Sequence, residues 1–360
     1  VEPARSLAAD GWILSQHLHQ VLKFLEPILT LTPSVRVIHC VDGVVPPAGT
    51  RMYNHGLAAL FEGIAAEGRH FLDGPYREAM LASFGPEAGG RLTPADLDTI
   101  GITTRAPLRT RFAGHTVLTP SPPASGGSLV ALSLQMAERH GLTKLPWMSE
   151  AWAAEVVQIM HGVSLARAAG FDEDVFRDGA AERLLAGDWY RRAEAEERNR
   201  GETTHISVID ADGRAASFTQ SNGEGCGHTL EAYGVHLNNF LGEEDITPRG
   251  FHGQPAGSPL TTMMTPTIVL DDANRPVFVV GSGGANRIRS ALFMAIVNRI
   301  GHGRSIEESA NAPRIHVEGQ RLWWEHTGPL AACFPTLESA LASPVMFPDR
   351  NMFFGGVNAV

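Results

Sequence analysis

The residues with the best claim to chemistry are Thr203-Thr204-His205, at the head of the alternating run THISVID, and the turn Gly281-Ser282-Gly283-Gly284. A threonine hydroxyl is a poor nucleophile near neutral pH and needs a base beside it. If the peptide bond between Glu202 and Thr203 is cut, the freed α-amine of Thr203 becomes that base. A chain-terminal α-amine ordinarily titrates at about 7.7–8.0, which leaves a useful neutral fraction near pH 7. The same hydroxyl can drive the cut by attacking the Glu202 carbonyl. Acyl transfer also generates an oxyanion, which needs backbone N–H donors at close range, and residues without side chains permit that approach. The 281–284 turn sits between an apolar strand and a helix start, where unpaired N–H groups and the helix dipole favour negative charge.

Each of these has an ordinary reading as well. Threonine is a common strand former, and a glycine turn can simply join strand to helix. Asn222 stands before a glycine, a frequent turn position. Thr261-Thr262 reads equally as a strand entry, and Glu243 as part of an acidic surface loop.

The elements that must position these residues are legible from pattern. Residues 1–30 read as helix, and 49–68 contain another, with Leu57, Leu60, Phe61 and Ile64 on one face. Thr93-Pro94 followed by acids is a helix start. Two short strands flank Ala113-Gly114. In SPPASGG, 121–127, the prolines forbid helix and the glycine pair turns the chain into a helix that follows. Residues 151–170 form the next helix, and the charged stretch 188–202 reads as an exposed segment of the kind a cleavage site needs. Beyond it come strand 203–209, a hairpin turn at Asp212-Gly213, a return strand over 214–222, a second hairpin of 265–270 with 275–281, and a helix to residue 300. The fold class is therefore α+β, mostly helical first and sheet-rich later.

Composition excludes several classes. The 360 residues carry a net charge of −10, and the basic residues, Arg287 and Arg289 among them, are scattered and read as solvated surface, which argues against a nucleic-acid partner. No apolar run is long enough for a membrane span. The three cysteines, Cys40, Cys226 and Cys333, form no CxxC pair, and the fifteen histidines form no HExxH. No GxSxG elbow or GxxxxGK loop occurs. The opening VEPARSLAADGWILSQHLHQ reads as already inside a domain, so a preceding segment is expected.

Taken in order, SPPASGG at 121–127, TTHISVIDADGRAAS at 203–217, QSN at 220–222, GVHLNN at 234–239, TTMMTPTIV at 261–269, GSGGANRI at 281–288 and APRIH at 312–316 resemble the γ-glutamyltransferase (γ-glutamyltranspeptidase) family of N-terminal nucleophile hydrolases. The resemblance implies a four-layer αββα sandwich, of which the family's N-terminal part has no matching block here. It implies cleavage of a proenzyme between Glu202 and Thr203, into a large subunit, 1–202, and a small one, 203–360, that stay together. It makes Thr203 the nucleophile, places the oxyanion hole on Gly283 and Gly284, or with Ala285 in the second place, and assigns substrate binding to Asn222, Glu243 or Glu244, Thr261 and Thr262. Thr219, Gln220 and Ser221 stand where the family has a supporting hydroxyl. The expected substrate is a small γ-glutamyl amide such as glutathione, with water or an amine as acceptor and with no metal or organic cofactor. Departures at Phe240 and Glu243 leave room for an acylase of another amide, a glutaryl β-lactam or polyglutamate. An uncleaved, non-catalytic relative is the third reading. Assembly into homo-oligomers and the compartment are left open by the sequence.

Overall fold

The computed structural model describes residues 1–187, 202–243, 246–247, 250–251 and 253–360. The charged stretch 188–201 and Glu244 lie outside the described residues. Contacts divide the chain into two units, one of residues 1–104 with 224–239, the other of 105–223 with 240–360.

The first unit is mainly helical. The single helix expected over 1–30 is instead Glu2–Asp10 and Gln16–Phe24, with further short helices after them. Gly11 breaks the first helix at φ +85°, and Trp12–Ile13 pairs with Arg51–Met52 as a short antiparallel ladder. Helix His55–Glu67 begins with Asn54 accepting from the Leu57 N–H at 2.9 Å. Thr93 and Asp96 close a reciprocal capping box at the start of Pro94–Asp98.

The second unit holds every candidate site residue. Its strands are β1 (Leu108–Phe112), β2 (His115–Thr119), β3 (Glu202–Ile209), β4 (Ala215–Gly223), β5 (Thr267–Leu270), β6 (Pro276–Ser282), β7 (Ile315–Glu318), β8 (Arg321–Glu325), β9 (Ser343–Phe347) and β10 (Val357–Ala359). Its principal helices are α1 (Ser125–Arg139), α2 (Glu150–Ala166) and α3 (Arg287–Ile296). One sheet runs β10–β6–β5–β2–β1, antiparallel throughout. The hairpin β3–β4 lies across β6, β5 and β10 as a second sheet layer, and α1 and α3 pack on the five-stranded sheet with α2 against α1. Helix, sheet and sheet are three of the four layers that the resemblance implies.

Apolar burial explains the helix layer. Leu129, Val130, Leu132 and Leu134 of α1, Trp152, Val156 and Ile159 of α2, and Ile288, Leu292 and Phe293 of α3 are buried in one core with Val269, Phe278 and Val280 of the sheet. Gly126 and Gly127 lie inside the first turn of α1, where the sequence suggested a turn before it. The reason is close packing: a Cβ on Gly126 would come within 2.4 Å of the Met263 carbonyl oxygen, and one on Gly127 within 2.1 Å of that of Pro120. Arg287 and Arg289 are likewise not solvated; both are buried in α3, where Arg289 pairs with Glu318 and Arg287 donates to the Phe353 carbonyl at 2.9 Å. The charge of the buried Arg289 is matched by Glu318, which offsets the cost of taking it out of water.

Candidate active site

Strand β3 carries Thr203 at its second position, and burial alternates along it. Thr203, His205 and Ser207 are turned inward, whereas Thr204, Ile206 and Val208 are exposed. On β4 the inward set is Ala215, Ser217, Thr219 and Ser221, and the exposed set is Ala216, Phe218, Gln220 and Asn222. The inner face of this hairpin is thus lined with hydroxyls and the outer face is the apolar one, the reverse of a simple amphipathic sheet. The inner face meets backbone rather than side chains. A Cβ on Gly281 would lie 2.0 Å from the His205 ring, and a Cβ on Gly283 would lie 2.2 Å from the Thr203 carbonyl oxygen. Two glycines of one loop therefore let Thr203 and the 281–284 turn touch.

His205 sits in the hydroxyl belt, hydrogen-bonded through Nδ1 to Thr219 Oγ1 at 2.7 Å and through Nε2 to Ser207 Oγ at 2.9 Å. Burial without a countercharge pushes its pKa down to about 4, so the imidazole is neutral near pH 7. It can orient the belt but carries no charge to the site.

The hairpin register slips beside Thr203. Glu202 pairs with Gly223 and Thr204 with Gln220, so Ser221 and Asn222 together face the single Thr203. Bulges of this kind redirect side chains. Ser221 is the one turned to the inner face with Thr203, and its Oγ accepts from the Gly223 N–H at 2.9 Å. Asn222, the expected substrate ligand, is on the exposed face with Thr204. The sequence left Thr219, Gln220 and Ser221 as equal candidates; the alternation of β4 puts Thr219 and Ser221 on the inner face and Gln220 on the outer one.

The turn after β6 divides its amides unequally. The Gly283 N–H donates to the Gly356 carbonyl at 3.2 Å and is already satisfied. The N–H groups of Gly284 and Ala285 have no acceptor among the described residues. Both residues have positive φ, +115° and +50°, and lead directly into α3. Of the expected pair, the Gly284 N–H is thus unengaged among the described residues and the Gly283 N–H is not, and the next unengaged amide is that of Ala285. Gly283 instead supplies close approach to Thr203.

The remaining expected residues lie elsewhere in the unit. Thr261 is buried, and its hydroxyl donates to the Pro123 carbonyl at 2.7 Å, accepts the Ser125 N–H at 3.2 Å and pairs with Ser125 Oγ. Thr262 accepts the Met264 N–H at its Oγ1 and the Gly126 N–H at its carbonyl. The pair stitches the SPPASGG loop to the chain before β5, a use the sequence did not suggest. Glu243 is buried at the end of the turn Phe240–Gly242, with its carbonyl accepting from Thr247 Oγ1 at 2.7 Å.

Among known proteins, the family model described as Gamma-glutamyltranspeptidase matches residues 1–360. The "Acylase ACY 1 proenzyme" of Pseudomonas sp. (strain SE83) is 27% identical, covering 100% of this chain and 66% of its own. The "Glutathione hydrolase proenzyme" of Bacillus subtilis (strain 168) is 26% identical over 88% of this chain and 60% of its own, and that of Escherichia coli (strain K12) is 27% identical with the same coverage. The chain thus spans 60–66% of the length of these curated relatives. Among solved structures, a cephalosporin acylase from Bacillus halodurans superposes with a TM-score of 0.78 at 19% identity, covering 100% of this chain and 71% of that one. That likeness establishes the fold.

Proposed function

The chain belongs to the Gamma-glutamyltranspeptidase family, and from that premise we propose that it is an autoprocessed amidase with Thr203 as its nucleophile. The observation that carries the reading is the contact of Thr203 with the turn at Gly283, which leaves no space even for a methyl group. In the precursor, Thr203 Oγ adds to the Glu202 carbonyl carbon, the C–N bond breaks, and water hydrolyses the resulting ester. Residues 1–202 and 203–360 then become separate chains held by one core, for β2 of the first pairs with β5 of the second and α1 shares its buried cluster with α3.

In turnover, the freed α-amine of Thr203 takes the hydroxyl proton as Oγ attacks the amide carbonyl. The oxyanion is held by the Gly284 and Ala285 amides at the start of α3, with Gly283 keeping the two segments in contact. The amine returns its proton to the leaving nitrogen, the C–N bond breaks, and an acyl ester on Thr203 remains. Water, or an amine acceptor in its place, resolves that ester. We take Ser221, on the same face as Thr203, as the hydroxyl that orients it. We assign the acyl group to the γ-glutamyl class, with Glu243 and Asn222 as candidate ligands for its polar end.

A second reading, an acylase for another amide such as a glutaryl amide, is favoured by one observation. The relative that matches 100% of this chain is an acylase proenzyme, and a glutaryl group keeps the terminal carboxylate of a γ-glutamyl group while lacking only its α-ammonium. The test uses the full-length protein. After incubation, mass spectrometry is expected to find a new chain beginning at Thr203, and anilides of γ-glutamate and glutarate report the acyl preference. Thr203→Ala is expected to stay intact, folded and inactive. A wild-type chain that never divides, or equal turnover by Thr203→Ala, removes the nucleophile and leaves the non-catalytic reading.

A further inference from the structure

We propose that Asn286 is a positioning residue for the Gly284–Ala285 turn, held in place by a buried charge cluster of Arg167, Asp172, Glu318 and Arg289. The inference rests on the reading of that turn as the oxyanion site and adds a remote control over it.

Asn286 is fully buried and follows Ala285 directly. It stands at the N-cap of α3, where an asparagine side chain normally accepts an N–H from the first turn. Here it makes no such bond and its own backbone is already helical, at φ −57° and ψ −24°. Its Oδ1 instead accepts from Arg167 Nη1 at 3.2 Å. The capping role has been exchanged for a link to the end of α2.

Arg167 is itself held on the other sides. Its Nη1 also donates to Glu318 Oε1 at 3.0 Å, and its Nε and Nη2 face Asp172 at 3.0 and 2.9 Å. Glu318, at the end of β7, is shared with Arg289, which donates to it and to the Val317 carbonyl. Two guanidinium groups and two carboxylates therefore balance in charge. The burial that such a cluster requires is costly unless every member is paired, and a planar fork can serve three partners where an ammonium cannot. His316 also faces the cluster, with Nε2 3.9 Å from Glu318 and Nδ1 on Ser290 Oγ; burial and the neighbouring arginines hold it neutral.

The link reaches the turn through short covalent and hydrogen-bonded steps. Arg287 N–H donates to the Gly284 carbonyl at 2.9 Å and Ile288 N–H to the Ala285 carbonyl at 3.0 Å. A rotation at Asn286 therefore re-aims the two amides just before it. The same cluster also ties α2 to β7, so a purely structural role has to be separated from a positioning one.

The experiment compares wild type, Asn286→Ala, Arg167→Lys and the surface control Arg183→Lys in the full-length, cleaved protein. Active sites are titrated by the stoichiometry of acylation with a γ-glutamyl or glutaryl ester, whichever acylates wild type, read by mass. Then kcat per titrated site, KM, and inhibition by a boronic acid carrying the same acyl chain are measured. Loss of one oxyanion donor costs about 10²–10³-fold in kcat; a mis-aimed pair is expected to cost roughly 10–100-fold. Asn286→Ala should lose that factor in kcat per site, with KM within about threefold and boronate affinity falling in parallel. Arg167→Lys, which keeps a charge for Glu318, should fall between it and wild type, and Arg183→Lys should match wild type. Unchanged kcat per site in both Asn286→Ala and Arg167→Lys, with only fewer titratable sites or a lower melting temperature, overturns the proposal and leaves the nucleophile assignment standing. A wild-type protein that is never acylated at Thr203 overturns the amidase reading and this inference with it.

Discussion

Replacing Gly283 by alanine isolates the contact on which the site depends. The new Cβ would lie 2.2 Å from the Thr203 carbonyl oxygen, 3.1 Å from its carbon and 3.5 Å from its Cα. A comfortable carbon–oxygen approach is about 3.3–3.6 Å, so the shortfall is roughly 1 Å. Both partners are backbone, so no flexible side chain can yield. Gly283 does not have a left-handed φ, so alanine brings no conformational penalty and the clash is the whole effect. Relief requires β3 to retreat from the turn by about that 1 Å. Overpacking of this kind costs about 1–3 kcal/mol, which for a unit of this size lowers Tm by roughly 2–12 °C. Misplacement of a nucleophile by about 1 Å costs on the order of 10²-fold in rate. The assay follows appearance of the Thr203 chain on a denaturing gel, then anilide turnover and Tm of whatever forms. Cleavage and turnover within twofold of wild type would show that Thr203 does not work against this turn, and the proposed chemistry would fail.

Two further predictions separate structure from chemistry. Thr261→Val strips a hydroxyl that serves Pro123 and Ser125 and should cost about 1–3 kcal/mol of stability in urea unfolding with KM unchanged; a tenfold rise in KM at unaltered stability would return Thr261 to the substrate site. His205 has a folded pKa near 4, below its unfolded value of about 6.5. Its neutral form therefore contributes stability that is present in full above pH 6.5 and is lost as pH falls toward 4. The shift corresponds to at most about 3 kcal/mol. His205→Gln should lose less stability than wild type between pH 7 and 4.5, and parallel curves for the two would refute the assignment.

Much of this was readable from residues in order. Thr93 and Asp96 announced a capping box, and Asp212-Gly213 a hairpin turn in which Gly213 takes φ +79°. The ordered blocks from SPPASGG to APRIH were enough for the family. These are local features, set by side-chain type and by periodicity within one element. The sequence placed the first helix wrongly across Gly11 and put Arg287 and Arg289 in solvent, because neither a strand partner nor a countercharge far along the chain is visible from neighbours.

What only the tertiary structure decided is which groups are already spoken for. The segment just before the last strand brings the Gly356 carbonyl to the Gly283 N–H and leaves the amides of Gly284 and Ala285 as the donors we propose for the oxyanion. A one-residue slip between β3 and β4 sets both Ser221 and Asn222 opposite the single Thr203. Glu318 draws two arginines into the core, and one of them takes hold of Asn286. A sequence carries the inventory of donors, acceptors and charges; the partner each one takes depends on distances between segments remote in the chain, and those distances exist only after the layers have packed.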